Sequence, residues 1–161
     1  MFRHSLSALA LAVMTSTAAF AAVDKVAGVE VTADLTAIQN EKAAAYWSNI
    51  AKDLQDAIVA RVVDRIADDG ATIRVDLREV ELASSFERAL DVSDAVLVGQ
   101  VNVSDPTDNS NMAAYELSVT LGTSGMKSAD GSVVTYETLD TPEAYQALVG
   151  AFADQVVQRL E

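Results

Sequence analysis

Cysteine is absent from this 161-residue chain, and its only histidine is the fourth residue. Beyond His4, therefore, no Ser-His-Asp or Cys-His mechanism and no zinc site of imidazole or thiolate is available. Disulfides are excluded as well, so the fold has to rest on its hydrophobic core. Glycines stand singly, in neither GxGxxG nor GxxxxGK[ST] spacing, which leaves phosphate cradling without support. No cofactor is expected. Positive charge is also scarce: 11 Lys and Arg face 24 Asp and Glu, a formal charge of −13. A surface of that sign repels phosphate backbones and anionic lipid, so nucleic acid is not an expected partner, and solubility alone accounts for the charge.

The beginning of the chain is distinctive. Met1-Phe2-Arg3-His4 makes a short basic start, Leu6 to Val13 an apolar run, and Ala19-Phe20-Ala21 a small-x-small pattern. Together they predict a signal peptide over residues 1–21, cut between Ala21 and Ala22. A membrane span would need about 20 predominantly apolar residues, whereas this run breaks into Thr15-Ser16-Thr17. No comparable run follows, so no stable membrane insertion is expected after cleavage. Losing Arg3 takes the charge from −13 to −14 over residues 22–161. Those residues suffice for one domain with a single core. Without a cysteine to carry lipid, the expected location is periplasmic or secreted.

Val29 to Leu35 alternates apolar and polar residues and reads as a half-buried strand. Thr36 to Gln39 has capping-box spacing, with Asn40 as an alternative cap for the helix that follows. From Glu41 to Asp69, Trp47, Ile50, Leu54, Ile58, Val62 and Ile66 recur every three or four residues, predicting one long helix stopped by a left-handed Gly70. The lone tryptophan sits on that stripe and is assigned to the core. Thr72 to Leu77 alternates again, and the phase slip near Arg78-Glu79 marks a bulge or the strand's end. Ser84 to Leu90 fits a short helical turn. Asp94 to Ser104, apolar on both faces at its start, is the best central strand. A strand over Tyr115 to Leu121 follows, then a connection over 122–131 and a third meander strand over 132–139. Thr141-Pro142-Glu143 opens a last helix striped by Tyr145, Leu148, Val149, Phe152, Val156 and Leu160.

The expected fold is an α+β two-layer sandwich: a four- to five-stranded mixed or mainly antiparallel sheet, two long helices on one face and the other face open. Gly99, within the central strand, leaves room for a close approach, most simply by the long helix. On the open face Glu30, Thr32 and Asp34 are expected beside Arg74, Asp76 and Arg78. These six form either an ordinary solvated face with cross-strand charge pairs or a docking platform.

Asp105, Asp108, Asn109 and Asn111 gather oxygen ligands of the kind calcium prefers, but not at EF-hand spacing. A hairpin turn uses the same residue types, and no metal is expected. The carboxylate pairs Asp68-Asp69 and Glu79-Glu81 read as solvated surface rather than an acid-base site.

Asp94-Ala95-Val96-Leu97-Val98-Gly99-Gln100-Val101, with the polar turn, the following strand and the striped last helix, resembles small periplasmic α/β modules of envelope assembly, of the kind seen in the TolB N-terminal domain and related lipoprotein domains. The resemblance implies a non-catalytic envelope role and transfers no functional residue. The resulting expectation is an exported protein that works by contact with an envelope partner. The alternatives are a small-ligand carrier binding between helices and sheet, and a carboxylate-based hydrolase.

Overall fold

A computed structural model describes residues 22–36, 38–39, 41–78, 94–122, 126–127, 133–134 and 141–161. The expected signal peptide, the turn over 84–90 and the pair Glu79-Glu81 lie outside them. Four alternating stretches form strands: β1 (Val26–Ala33), β2 (Ala71–Leu77), β3 (Asp94–Ser104) and β4 (Ala113–Gly122). They hydrogen-bond in the order β1-β2-β3-β4. The first pair is parallel, because a helical crossover returns the chain to the same edge. The other two pairs are antiparallel. The chain is thus α+β, with a four-stranded mixed sheet and helices.

Register aligns the apolar residues of all four strands in rows. Val31 lies opposite Val75, Val75 opposite Val101, and Val101 opposite Tyr115; the next row is Ala33, Leu77, Gly99 and Leu117. A one-residue slip of any strand would turn its core residues to water, which fixes this pairing.

The expected third meander strand does not join this sheet within the described residues. Val133–Val134 (β6) instead pairs antiparallel with Met126–Lys127 (β5), inside the stretch read as a connection. The other residues of 132–139 lie outside those described. Few residues separate β5 from β6 in the sequence, so bringing the two together costs little chain entropy, which favours this local partner.

The predicted helix over Glu41 to Asp69 is three pieces: α1 (Glu41–Tyr46), α2 (Ile50–Val62) and a 3-10 turn at Val63–Arg65. Between α1 and α2 the bonds tighten, Ser48 N–H to Ala45 O at 3.3 Å and Ile50 N–H to Trp47 O at 2.9 Å. Ser48 and Asn49, weak helix formers, occupy the break. The stripe survives it, since Ala43, Trp47, Ile50, Leu54, Ile58 and Val62 are all buried. Ile66 does not belong to it: it lies beyond the helix, 48% exposed, and bridges Val26.

Gly70 is not the left-handed stop expected of it. A Cβ there would lie 2.5 Å from both the carbonyl carbon of Lys25 and the nitrogen of Val26, so glycine is required by the passage of another backbone. Gly99 likewise answers a close approach. Its Cβ would meet Leu77 Cδ2 at 3.0 Å, Phe152 Cζ at 3.1 Å and Val75 Cγ1 at 3.2 Å. Phe152 belongs to the C-terminal helix α3 (Pro142–Gln158), not to the long helix expected there. The start of α3 follows its sequence signals: Thr141 caps it, its hydroxyl accepting from Ala144 N–H at 3.2 Å, and Pro142 occupies the first turn.

One core joins Ile73, Val75, Leu97, Val101 and Leu121 of the sheet to Trp47, Leu54, Ile58, Leu148 and Phe152 of the helices. Helix α2 packs on β1 and on α3, and α3 packs on β3 and β4. Each large side chain so buried contributes about 1.5–3 kcal/mol relative to exposure. The two ends of the described chain meet as well. Val23 is buried, its N–H donating to Leu160 O at 2.8 Å, and Val23 O accepts from the Arg65 guanidinium.

Candidate interaction surface

The alternation that turns Val29, Val31 and Ala33 toward the core turns Glu30 and Thr32 the other way, beside Arg74 and Asp76 of β2. Register then sets two polar rows across the sheet: Glu30, Arg74, Asn102 and Ala114, and Thr32, Asp76, Gln100 and Glu116. Arg74 Nε donates to Glu30 Oε2 at 3.0 Å, and Thr32 Oγ1 donates to Asp76 Oδ1 at 3.2 Å. Arg78, just past the end of β2, reaches over β3 to Glu116 Oε2 at 2.9 Å. Both ion pairs stand half in water, at 58%/58% and 51%/52% side-chain exposure, so each adds no more than about 1 kcal/mol to stability. Both guanidinium groups lie over the face, Arg74 against Glu30 and Arg78 against Glu116.

Five of the six residues read from the sequence are therefore brought together. The sixth, Asp34, is not. Strand β1 ends at Ala33, and Asp34 Oδ1 accepts from Thr36 N–H at 2.9 Å and Thr36 Oγ1 at 2.6 Å. A short polar side chain at a strand end takes its own downstream backbone in preference to the ladder. Those two bonds hold its carboxyl below the usual range. Glu116 was the omission, since alternation turns it outward but only the register puts it within reach of Arg78.

This face is not open throughout. Asn102, Ala114, Ser118 and Thr120 are exposed, whereas Val98 is buried and Val96 half-buried. The accessible part is the half that carries Glu30, Arg74, Asp76 and Glu116. Beside it a shallow groove of about 350 Å³ is lined by Asn102, Ser104, Ala114 and the 53%-exposed Met112, among others.

The loop after β3 uses its oxygens internally. Asp105 Oδ1 accepts from Thr107 N–H at 2.8 Å, Thr107 Oγ1 at 2.7 Å and Asp108 N–H at 3.1 Å, while Oδ2 accepts from Asn111 Nδ2 at 2.8 Å. The Asn111 and Thr107 side chains lead in pulling the Asp105 carboxyl down to about 2. Asp108 caps the 3-10 turn at Asn109–Asn111 through Ser110 N–H at 2.9 Å, and Asn109 is exposed. The turn thus engages the side chains of Asp105, Asp108 and Asn111, three of the four residues weighed as calcium ligands, and no group of three or more acidic or histidine side chains suited to a metal occurs among the described residues.

Of the carboxylate pair Asp68-Asp69, Asp69 pairs with Lys25 at 2.7 Å and both are exposed. Tyr115 and Tyr145 lie on the inward faces the sequence gives them, but the surroundings of their hydroxyls escaped the sequence reading. Tyr145 Oη donates to Asp53 Oδ2 at 2.8 Å, tying α3 to α2, and burial leads in raising its ionisation. Tyr115 Oη is buried and has no hydrogen-bond partner among the described residues, under an Arg159 guanidinium 4.6 Å from the ring centroid. A tyrosine on an apolar stripe gives no sequence sign of where its hydroxyl goes.

Compared with known proteins, the chain matches no protein-family model and no curated sequence. No described helix is long and apolar enough to cross a membrane.

Proposed function

We propose that this chain is an exported, non-enzymatic protein of the cell envelope that works by contact, meeting a protein partner through the outer face of its sheet. In this reading residues 1–21 are a leader, residues 22–161 are one domain in the periplasm or outside the cell, and α2 and α3 form a single layer over one face of the sheet. The observation that carries it is the paired array of Glu30 with Arg74 and Arg78 with Glu116, on a rigid four-strand register. An array worth so little to folding can exchange its ion pairs for contacts with a partner at little cost to the stability of the domain. The element order that resembles small envelope modules points to the same compartment.

The carrier alternative needs space between helices and sheet, where Trp47, Leu54, Ile58 and Phe152 are fully buried. It gains no support from the described residues, and neither does the hydrolase.

The test is affinity purification of the tagged mature chain from its native envelope, beside Arg74→Glu and Arg78→Glu variants. Retained folding, with only a modest fall in melting temperature, and selective loss of one co-purifying protein are expected. Retention of every partner by both variants would sink the reading.

A further inference from the structure

The first residue of the proposed mature chain, Ala22, is exposed, but the next is held like a core residue. Val23 is 4% exposed, its N–H is committed to Leu160 O at 2.8 Å, and its carbonyl oxygen to the Arg65 guanidinium. Leu160 is itself 2% exposed and closes the final turn after α3, its N–H bonded to Val157 O at 3.0 Å.

A peptidase that cuts between Ala21 and Ala22 receives its substrate as an extended strand, with main-chain groups on both sides of the scissile bond paired to the cleft. Val23 cannot serve the cleft and the fold at once. We propose that leader removal and this clasp on Val23 are mutually exclusive: the Ala21–Ala22 bond is a peptidase substrate only until Leu160 and Arg65 have closed on Val23, so processing precedes completion of the fold. The proposal rests on the reading of residues 1–21 as a leader.

Chain order supplies the timing. Leu160 lies 137 residues after Val23, so the clasp cannot form before the chain has been made at least that far. The bond stays open to attack until then. After closure, cutting waits on local release of Val23 and scales with the fraction of time it spends released.

The test uses the full precursor, folded in mild detergent and incubated with a leader peptidase, beside a synthetic peptide spanning Ala10–Glu30 that carries the bond without the fold. The peptide is expected to be cut between Ala21 and Ala22, and the folded precursor at least about tenfold more slowly. Arg65→Ala removes one clasp bond and recovers part of the difference; a chain ending at Arg159 lacks Leu160 and recovers most of it. Because that shorter chain also loses a core residue, hydrogen exchange at the Val23 amide is read in parallel. It is expected to be slow in the mature chain and faster in both variants. Equal cutting of folded precursor and peptide, or no acceleration in either variant, overturns the clasp and leaves the leader reading standing. A peptide left uncut at Ala21–Ala22 overturns both.

Discussion

At Gly99 the missing methyl group is a packing requirement. Three side-chain carbons stand 3.0–3.2 Å from where a Cβ would sit, closer than ordinary contact, and two of them come from β2 next door. Gly99→Ala is expected to destabilise by about 1–3 kcal/mol, the usual cost of overpacking, measured by chemical denaturation. Gly70→Ala is expected to cost more, because Lys25 and Val26 present backbone that has no rotamer to change. The sequence marked both glycines as special but assigned the wrong cause at Gly70, since a lone glycine after a helical stretch looks the same whether it turns the chain or makes way for another strand.

Asp105 carries a pH prediction. Its carboxyl is held at about 2 by bonds from Asn111 and Thr107, below its ordinary 3.8, so its contribution is complete above the ordinary value and lost as the pH falls through about 2. Asp34, Asp69 and Asp108 are shifted in the same direction. Acid unfolding of the Asp105→Asn variant, followed by circular dichroism, is expected to begin from lower stability near neutrality. It should then change less between about pH 4 and pH 2 than the parent does.

Among the elements, α3 was the most legible: cap, proline and stripe agreed, and the helix begins where they placed it. Thr141→Ala is expected to cost about 1 kcal/mol by leaving Ala144 N–H without its side-chain acceptor, read as a lowered denaturant midpoint at unchanged slope. The segment from Glu41 to Asp69 was legible as a stripe but not as a set of boundaries. Hydrophobic spacing of three and four tolerates a tightened turn at Trp47–Asn49 without losing phase, so periodicity alone could not reveal the break. Strand existence followed from alternation in the same way, whereas the pairing of Arg78 with Glu116 depended on register. Register is a long-range property set by where four strands meet, and no single strand contains it. Asp34 failed for the opposite reason, a local bond to Thr36 overriding a pattern that alternation would have extended.

Across the whole molecule, charge of one sign dominates. The ion pairs among the described residues lie on the surface, including Lys52 with Asp56 and Arg61 with Asp154, where solvent screens them and each contributes little. Against them stands a net charge of −13 over the chain and −14 over residues 22–161, repelling itself at every distance within a Debye length. Raising ionic strength from about 0.01 M to 0.15 M shortens that length from about 30 Å to 8 Å, weakening the many repulsions more than the few contacts. The melting temperature is therefore expected to rise with salt at neutral pH, and a fall would mean that the surface pairs dominate.

The meeting of Val23 with Leu160 has an architectural consequence too. A described domain whose two ends touch is already nearly a ring, so a short glycine-serine bridge between them would add little closure entropy. New ends opened at the exposed hairpin tip near Thr107 would then yield a circular permutant with the same four-strand order. In such a molecule Val23 and Leu160 would be near neighbours along the chain, and a contact that now spans the whole domain would become local.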